Sequence, residues 1–214
     1  MSAGTQDINR IFFRDGYRLA SSYLNSNFSS GDLYKGIQAL YEAIDGLNEA
    51  LIHRASVEGK PVACRRGCSW CCNQAVFAVT YEFEYLNNYL EKKFDKVRLT
   101  KVREKAAHKL EVTSGLSPEK RLLYKAPCPL LENGVCSAYE ARPMACRIYL
   151  SSDVKSCMRE YQKPENTRDF PALFSFPLQA GRIMNEGFTA LLRELGYESA
   201  EFTMEQGLST PDNV

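Results

Sequence analysis

Apolar residues recur at helical spacing along the first 58 residues. Leu33, Ile37, Leu40, Tyr41, Ile44, Leu47, Leu51 and Ile52 follow one another at steps of 4, 3, 1, 3, 3, 4 and 1. That rhythm places them on one stripe of a long amphipathic helix opening after Ser30. Ile8, Phe12, Tyr17, Leu19 and Tyr23 predict a shorter helix before it. Thr80, with Glu82 and Glu84 behind it, predicts an N-cap followed by carboxylates that complement the helix dipole. The helix it opens is expected to run to about residue 94, with Tyr85, Leu86, Tyr89 and Leu90 inward and Lys92 and Lys93 at its C-terminal end. A charged helix is expected over 97–112. Ser117 before Pro118 marks another start, since proline's missing N–H costs nothing in a first turn. The closing helix is expected over about 182–195, with Ile183, Phe188, Leu191, Leu192 and Leu195 on one face and Gly196 as its cap. From about Ser209 the chain reads as a frayed tail.

Residues 126–164 break every long period. Pro127, Pro129, an Asn133–Gly134 turn, Pro143 and Pro164 predict loop with short helical turns. The best strand candidate is the short stretch 75–79. The expected fold class is therefore mainly α, a single domain over 1–214. Helical flanks at 1–58 and 165–208 enclose a loop-rich cysteine-cluster core at 60–160.

Composition changes this picture at one point. Basic and acidic residues number 27 and 26, a net charge of +1, so no global field steers the chain to nucleic acid or an anionic surface. The basic stretch 92–109 is interrupted by Asp95 and Glu104 and reads as a solvated helix face, so no nucleic-acid partner is expected. The N-terminus lacks a charged start followed by an apolar region, and no run of about 18 apolar residues occurs. These features predict a cytoplasmic protein with no membrane partner. What stands out is eight cysteines, all between Cys64 and Cys157. In a reducing compartment a cysteine cluster points to metal or redox work in preference to disulfides.

Four thiols, Cys64, Cys68, Cys71 and Cys72, fall within nine residues, CRRGCSWCC. The adjacent pair Cys71 and Cys72 would close a very tight chelate on one tetrahedral ion, so further ligands are needed. Cys128, Cys136, Cys146 and Cys157 supply them, with seven, nine and ten residues between them. This is unlike the paired short knuckles of a zinc ribbon and closer to iron–sulfur ligation, where one compact loop and distant segments surround a cluster. Inert buried thiols do not explain four cysteines among charged and polar neighbours. Cys64, Cys68 and Cys71 with Trp70 also match the C-x3-C-x2-C signature of radical SAM enzymes. The scarcity of strands and the surplus of adjacent ligands argue against that fold. Arg65, Arg66, Arg142 and Arg147 are the candidate cations for balancing thiolate charge. Gly67 would allow a sharp turn, Trp70 would cover the site, and Pro143 would fix the return of Cys146. His53 and His108, on predicted helices, are not expected ligands.

The cysteine order resembles that of the YkgJ-like cysteine-cluster family, whose domain is described as zinc- or iron-chelating. CRRGCSWCC at 64–72, CPLLENGVCSAYEARPMACR at 128–147 and Cys157 carry the resemblance, with Tyr139, Arg142, Pro143 and Arg147 at the places the family's pattern leads one to expect. It covers about residues 60–160. It implies a metal site, iron–sulfur of the 4Fe–4S type in preference to zinc; read from the residues, all eight cysteines are candidate ligands with Arg142 and Arg147 beside them, enough for two four-iron clusters, one cluster with spare thiols or a multinuclear zinc site. A redox or metal-handling role with an unidentified protein or redox partner follows from that implication. Flagellin lysine N-methylase looks like a larger relative with the same kind of motif. It suggests the alternative of a cluster-dependent enzyme modifying a protein or small substrate, methylase-like or SAM-dependent.

Overall fold

In the computed structural model, which describes residues 3–166, 168 and 170–209, the chain is 64% helical with little strand. The helices in chain order are α1 (Ala3–Tyr23), α2 (Ser30–Val57), α3 (Thr80–Lys93), α4 (Lys96–Thr113), α5 (Pro118–Leu123), α6 (Met144–Arg147), α7 (Val154–Gln162), α8 (Ser175–Glu194) and α9 (Met204–Ser209). Short strands are β1 (Phe77–Val79), β2 (Leu131–Glu132), β3 (Val135–Cys136) and β4 (Glu201–Thr203), and 3-10 turns occur at Trp70–Asn73 and Tyr139–Ala141. The mainly α expectation holds. Among the described residues no helix is long and apolar enough to cross a membrane. The expected tail falls, beyond Ser209, outside the described residues.

The chain forms two compact units. The first comprises Met1–Pro61, Met144–Tyr149 and Phe174–Ser199, hence α1, α2, α6 and α8. Helix α2 opens on a capping box: the Ser29 hydroxyl accepts from the Asp32 backbone N–H at 3.2 Å, and the Asp32 carboxylate accepts from the Ser29 N–H at 3.1 Å. Leu33, Ile37, Leu40, Tyr41 and Ile44 are buried as the stripe requires, and Leu47 and Leu51 are half-buried. Ile52 is exposed, because it sits about 100° around the helix from Leu51.

Helix α1 turns a different face inward from the one its large apolar residues suggest. Ile8 and Tyr23 are exposed, whereas Gly16 and Ala20 are buried. The reason is a backbone-to-backbone crossing with α8. A Cβ on Gly16 would stand 2.0 Å from the Met184 carbonyl oxygen, and one on Gly187 would stand 2.0 Å from that of Phe13. Small residues permit that approach, so the face is selected by size as well as polarity. Helix α8 starts at Ser175, seven residues before the expected position, with Pro177 inside the first turn where its missing N–H is harmless. It ends as expected at Gly196, whose φ of +81° completes a Schellman motif: Tyr197 N–H donates to the Leu192 carbonyl at 2.9 Å and Gly196 N–H to that of Arg193 at 3.0 Å.

The second unit comprises Val62–Pro143, Leu150–Leu173 and Ala200–Val214. The expected strand is β1, and its antiparallel partner is β4, with Phe77 opposite Thr203. Thr80 is the first residue of α3 and not its cap. Its hydroxyl accepts from Ala200 N–H at 3.0 Å, which extends the β1–β4 pairing, while Glu82 accepts from Val79 N–H at 3.2 Å. Tyr81, Phe83, Leu86 and Leu90 form the buried face of α3, and Tyr85 and Tyr89 are half-buried. Helix α9 draws the face round: Gly207 lies on the Phe83 ring, and Asn87 Nδ2 donates to the Gly207 carbonyl at 3.0 Å. Asp95 caps α4 by accepting from Arg98 N–H at 2.8 Å, and Ser117 with Pro118 opens α5 as expected. Helix α7, nine residues long, exceeds the short turns expected in this region.

Candidate metal centre

The tight cysteine loop is built by two local turns. Cys68 N–H donates to the Arg65 carbonyl at 2.9 Å across a β-turn in which Gly67 has φ +88°, a conformation that a side chain would strain. Cys71 and Cys72 then lie in the 3-10 turn Trp70–Asn73, closed by Cys72 N–H to the Ser69 carbonyl at 3.0 Å and by Asn73 Nδ2 to the same oxygen at 2.9 Å. All four thiols are half-buried.

Two distant segments are tied to this loop by backbone bonds. On one side, Ala63 N–H donates to the Ser151 carbonyl at 2.8 Å, and Ser151 N–H donates to Cys64 Sγ at 3.2 Å. The chain after Ser151 leads into α7, which carries the buried Cys157 and packs on the 3-10 turn through Trp70 and Tyr161, ring centroids 5.3 Å apart. Burial pushes the Cys64 thiol up despite the Ser151 N–H, and the sulfurs of Cys68 and Cys157 push it further. Cys64, Cys68 and Cys157 thus form one group.

On the other side, Cys128 N–H donates to the Cys72 carbonyl at 2.7 Å and Ala126 N–H to that of Asn73 at 2.9 Å. The β2–β3 hairpin then returns the chain through the expected Asn133–Gly134 turn, both residues at positive φ, and places Cys136 opposite Leu131. Burial pushes the Cys128 thiol up to about 12, although the residue as a whole keeps some exposed surface, with Cys136 and Cys72 adding to the rise. Burial likewise raises Cys136. Cys72 moves the other way, to about 7, because the Cys71 thiol hydrogen-bonds its sulfur. Cys71, Cys72, Cys128 and Cys136 form the second group. In metal-free protein at pH 8, iodoacetamide should therefore alkylate Cys72 first and Cys128 last, as read by peptide mass spectrometry; early labelling of Cys128 would contradict this order.

Seven of the eight cysteines belong to this unit. Cys146 lies on α6 in the first unit. Of the candidate cations, Arg65 and Arg66 are exposed on the Gly67 turn. Arg142 lies 3.8 Å over the Tyr139 ring and donates to the Tyr139 carbonyl at 2.8 Å, and its charge favours the Cys136 thiolate. Arg147, 2% exposed, is ion-paired with Asp45 and lies over the Tyr41 ring, all within the first unit. His53 and His108 are exposed on α2 and α4. Two features of this unit escaped sequence reasoning. Ser151 acts through its backbone, which leaves no trace in a sequence. Lys109 shares a buried α4 face with Val102, Ala106 and Thr113, and its helical spacing from them is the signal that could have found it.

Among the described residues, no three His, Cys, Asp or Glu side chains stand close enough together to hold one ion as placed. The donor set nevertheless fits zinc or iron chemically: soft thiol donors, carried on loops and joined by short backbone links that gather their sulfurs into two groups. Ligation requires the sulfurs to close in and lose their protons.

Residues 63–170, just over half of the chain, match the family model named CxxCxxCC and described as "Putative zinc- or iron-chelating domain". The chain departs from the printed pattern by having three residues, not two, between Cys64 and Cys68. No curated protein and no solved structure matches it. By its cysteine order and the extent of this match, the chain belongs to the CxxCxxCC family of zinc- or iron-chelating domains and is a metal-binding protein.

Proposed function

We propose that the thiols of the second unit hold an iron–sulfur centre of the 4Fe–4S type, and that the protein serves a redox or metal-handling role with a protein partner. One observation carries this reading: Cys64, Cys68, Cys71, Cys72, Cys128, Cys136 and Cys157 are gathered in one unit by backbone bonds from the tight loop to two distant segments. A compact loop joined to remote single cysteines is how clusters are ligated, whereas a zinc ribbon draws its ligands from paired knuckles. When bound, such a centre supplies one-electron transfer at a potential set by burial and by hydrogen bonds to sulfur. The chain's own part is to donate the Ser151 N–H to Cys64 Sγ, to cover the 3-10 turn with Trp70 and Tyr161, and to hold Arg142 near Cys136.

A substrate-modifying enzyme would need a cavity beside the thiols. The cleft of about 490 Å³ in this unit lies between α4 and the β2–β3 hairpin and has no cysteine in its lining. The redox or metal-handling reading is the one that the backbone links from the tight loop support. Anaerobic purification tests it: the protein should be brown, contain iron and acid-labile sulfide, and give an EPR signal on reduction. A colourless protein with stoichiometric zinc would overturn the iron–sulfur assignment.

A further inference from the structure

Thiolates gathered around a metal leave negative charge, which nearby fixed cations stabilise. Lys109 is placed for that task. Its side chain is 8% exposed, and Nζ donates to the Ala126 carbonyl at 3.3 Å. Nζ also stands 3.7 Å from Glu205 Oε2 on α9. That oxygen, on a side chain 1% exposed, accepts no hydrogen bond from the described residues, while Glu205 Oε1 accepts from the Thr113 hydroxyl at 3.2 Å. The ammonium thus gives its hydrogen bond to the segment leading into Cys128 and only its charge to the carboxylate.

Ala126 is two residues before Cys128, and the N–H groups of both are bonded to the carbonyls of Asn73 and Cys72. A cation held by the Ala126 carbonyl sits behind the links that join the paired cysteines to Cys128. A buried ion pair by itself contributes little to stability, because desolvation offsets the attraction. A buried lysine that hydrogen-bonds the carbonyl two residues before Cys128 is better explained by what the neighbouring thiols bind.

We propose that Lys109 is a positioning residue of the metal site, a buried cation aimed by the Ala126 carbonyl and restrained by Glu205 that balances the charge of the gathered thiolates. The proposal rests on the metal-binding reading above and adds the residue that tunes it.

The test is a Co²⁺ titration of the reduced, metal-free full chain under argon. The thiolate-to-cobalt band is followed, and affinity is set by competition with a chelator. Lys109→Met should weaken Co²⁺ binding about 10- to 100-fold, the range found when groups supporting metal ligands are removed. Glu205→Gln, which takes away the counter-charge and keeps an acceptor for Thr113, should tighten binding. The double variant K109M/E205Q, with no unpaired buried charge, should keep the parent's helical circular dichroism and bind as weakly as K109M; it carries the test if K109M alone fails to fold. Opposite signs for K109M and E205Q are what a merely structural pair would not produce. Equal losses in the two single variants, or parental affinity in the double variant, would overturn the assignment. If the parent chain itself gives no thiolate-to-cobalt band, the metal-binding reading falls and this one with it.

Discussion

Gly187→Ala should destabilise the first unit by about 3 kcal/mol or more, and Gly16→Ala should do the same, read as a fall in the melting temperature of the helical signal. Each glycine faces the backbone of the opposite helix. The added Cβ at 187 would meet the Phe13 carbonyl oxygen at 2.0 Å and Tyr17 N at 3.0 Å, and at 16 it would meet the Met184 carbonyl oxygen at 2.0 Å. A flexible side chain could swing away, but main-chain atoms inside two helices cannot. Helices α1 and α8 would have to part by more than an ångström, opening the contacts of every buried residue along the crossing. A loss of that size is a large share of the roughly 5–15 kcal/mol that holds an ordinary domain together. Gly46→Ala is the control. It lies exposed on α2, where the new methyl meets nothing within 4 Å. Helix propensity alone should then raise stability by about 1 kcal/mol. If Gly187→Ala melts together with Gly46→Ala, the close crossing is refuted.

Metal affinity should rise steeply with pH, and stripping the metal at neutral pH should lower the melting temperature. Burial holds the thiols of Cys64, Cys128 and Cys136 above their ordinary values, Cys128 at about 12. In the metal-free protein near neutrality these groups carry protons, and each must lose one to become a ligand. Raising the pH removes the competing proton, so the sign is positive, and each such thiol adds up to about tenfold in affinity per pH unit. Cys72, at about 7, contributes below neutrality and little above it. Titrations at pH 6, 7 and 8, with proton release measured alongside, would show this slope; a flat profile would exclude the buried thiols as ligands. By linkage, a metal present at about a thousand times its dissociation constant stabilises the folded chain by about 4 kcal/mol. Chelation should remove that increment and loosen amide exchange in 64–73, 126–137 and 150–157, where the thiols must be drawn together.

The features legible in the sequence are those fixed by chemistry within a few residues. Ser117 with Pro118, the Asn133–Gly134 turn, Gly67 and the Gly196 cap occur where they were expected, because a cap or turn depends on its own backbone and its nearest donors. The stripe on α2 was equally readable from Leu33 to Ile44. The face of α1 was not, since hydrophobic periodicity reports polarity and is blind to how closely two backbones approach. Arg147 shows a related limit at a single residue: nothing in the local sequence signals that its guanidinium pairs with Asp45 on α2.

Taken alone, the sequence determined the mainly helical class and a thiol-rich metal-binding character, because residue order, spacing and periodicity are enough to specify them. Only the tertiary structure decided that β1 pairs with β4, that the segments at Ser151 and Cys128 are bonded to the tight cysteine loop, and that Lys109 donates from a buried helix face to the Ala126 carbonyl. Each of these joins segments separated by many residues, and such pairings are selected by loop closure, burial and packing of the whole unit, which no local pattern encodes.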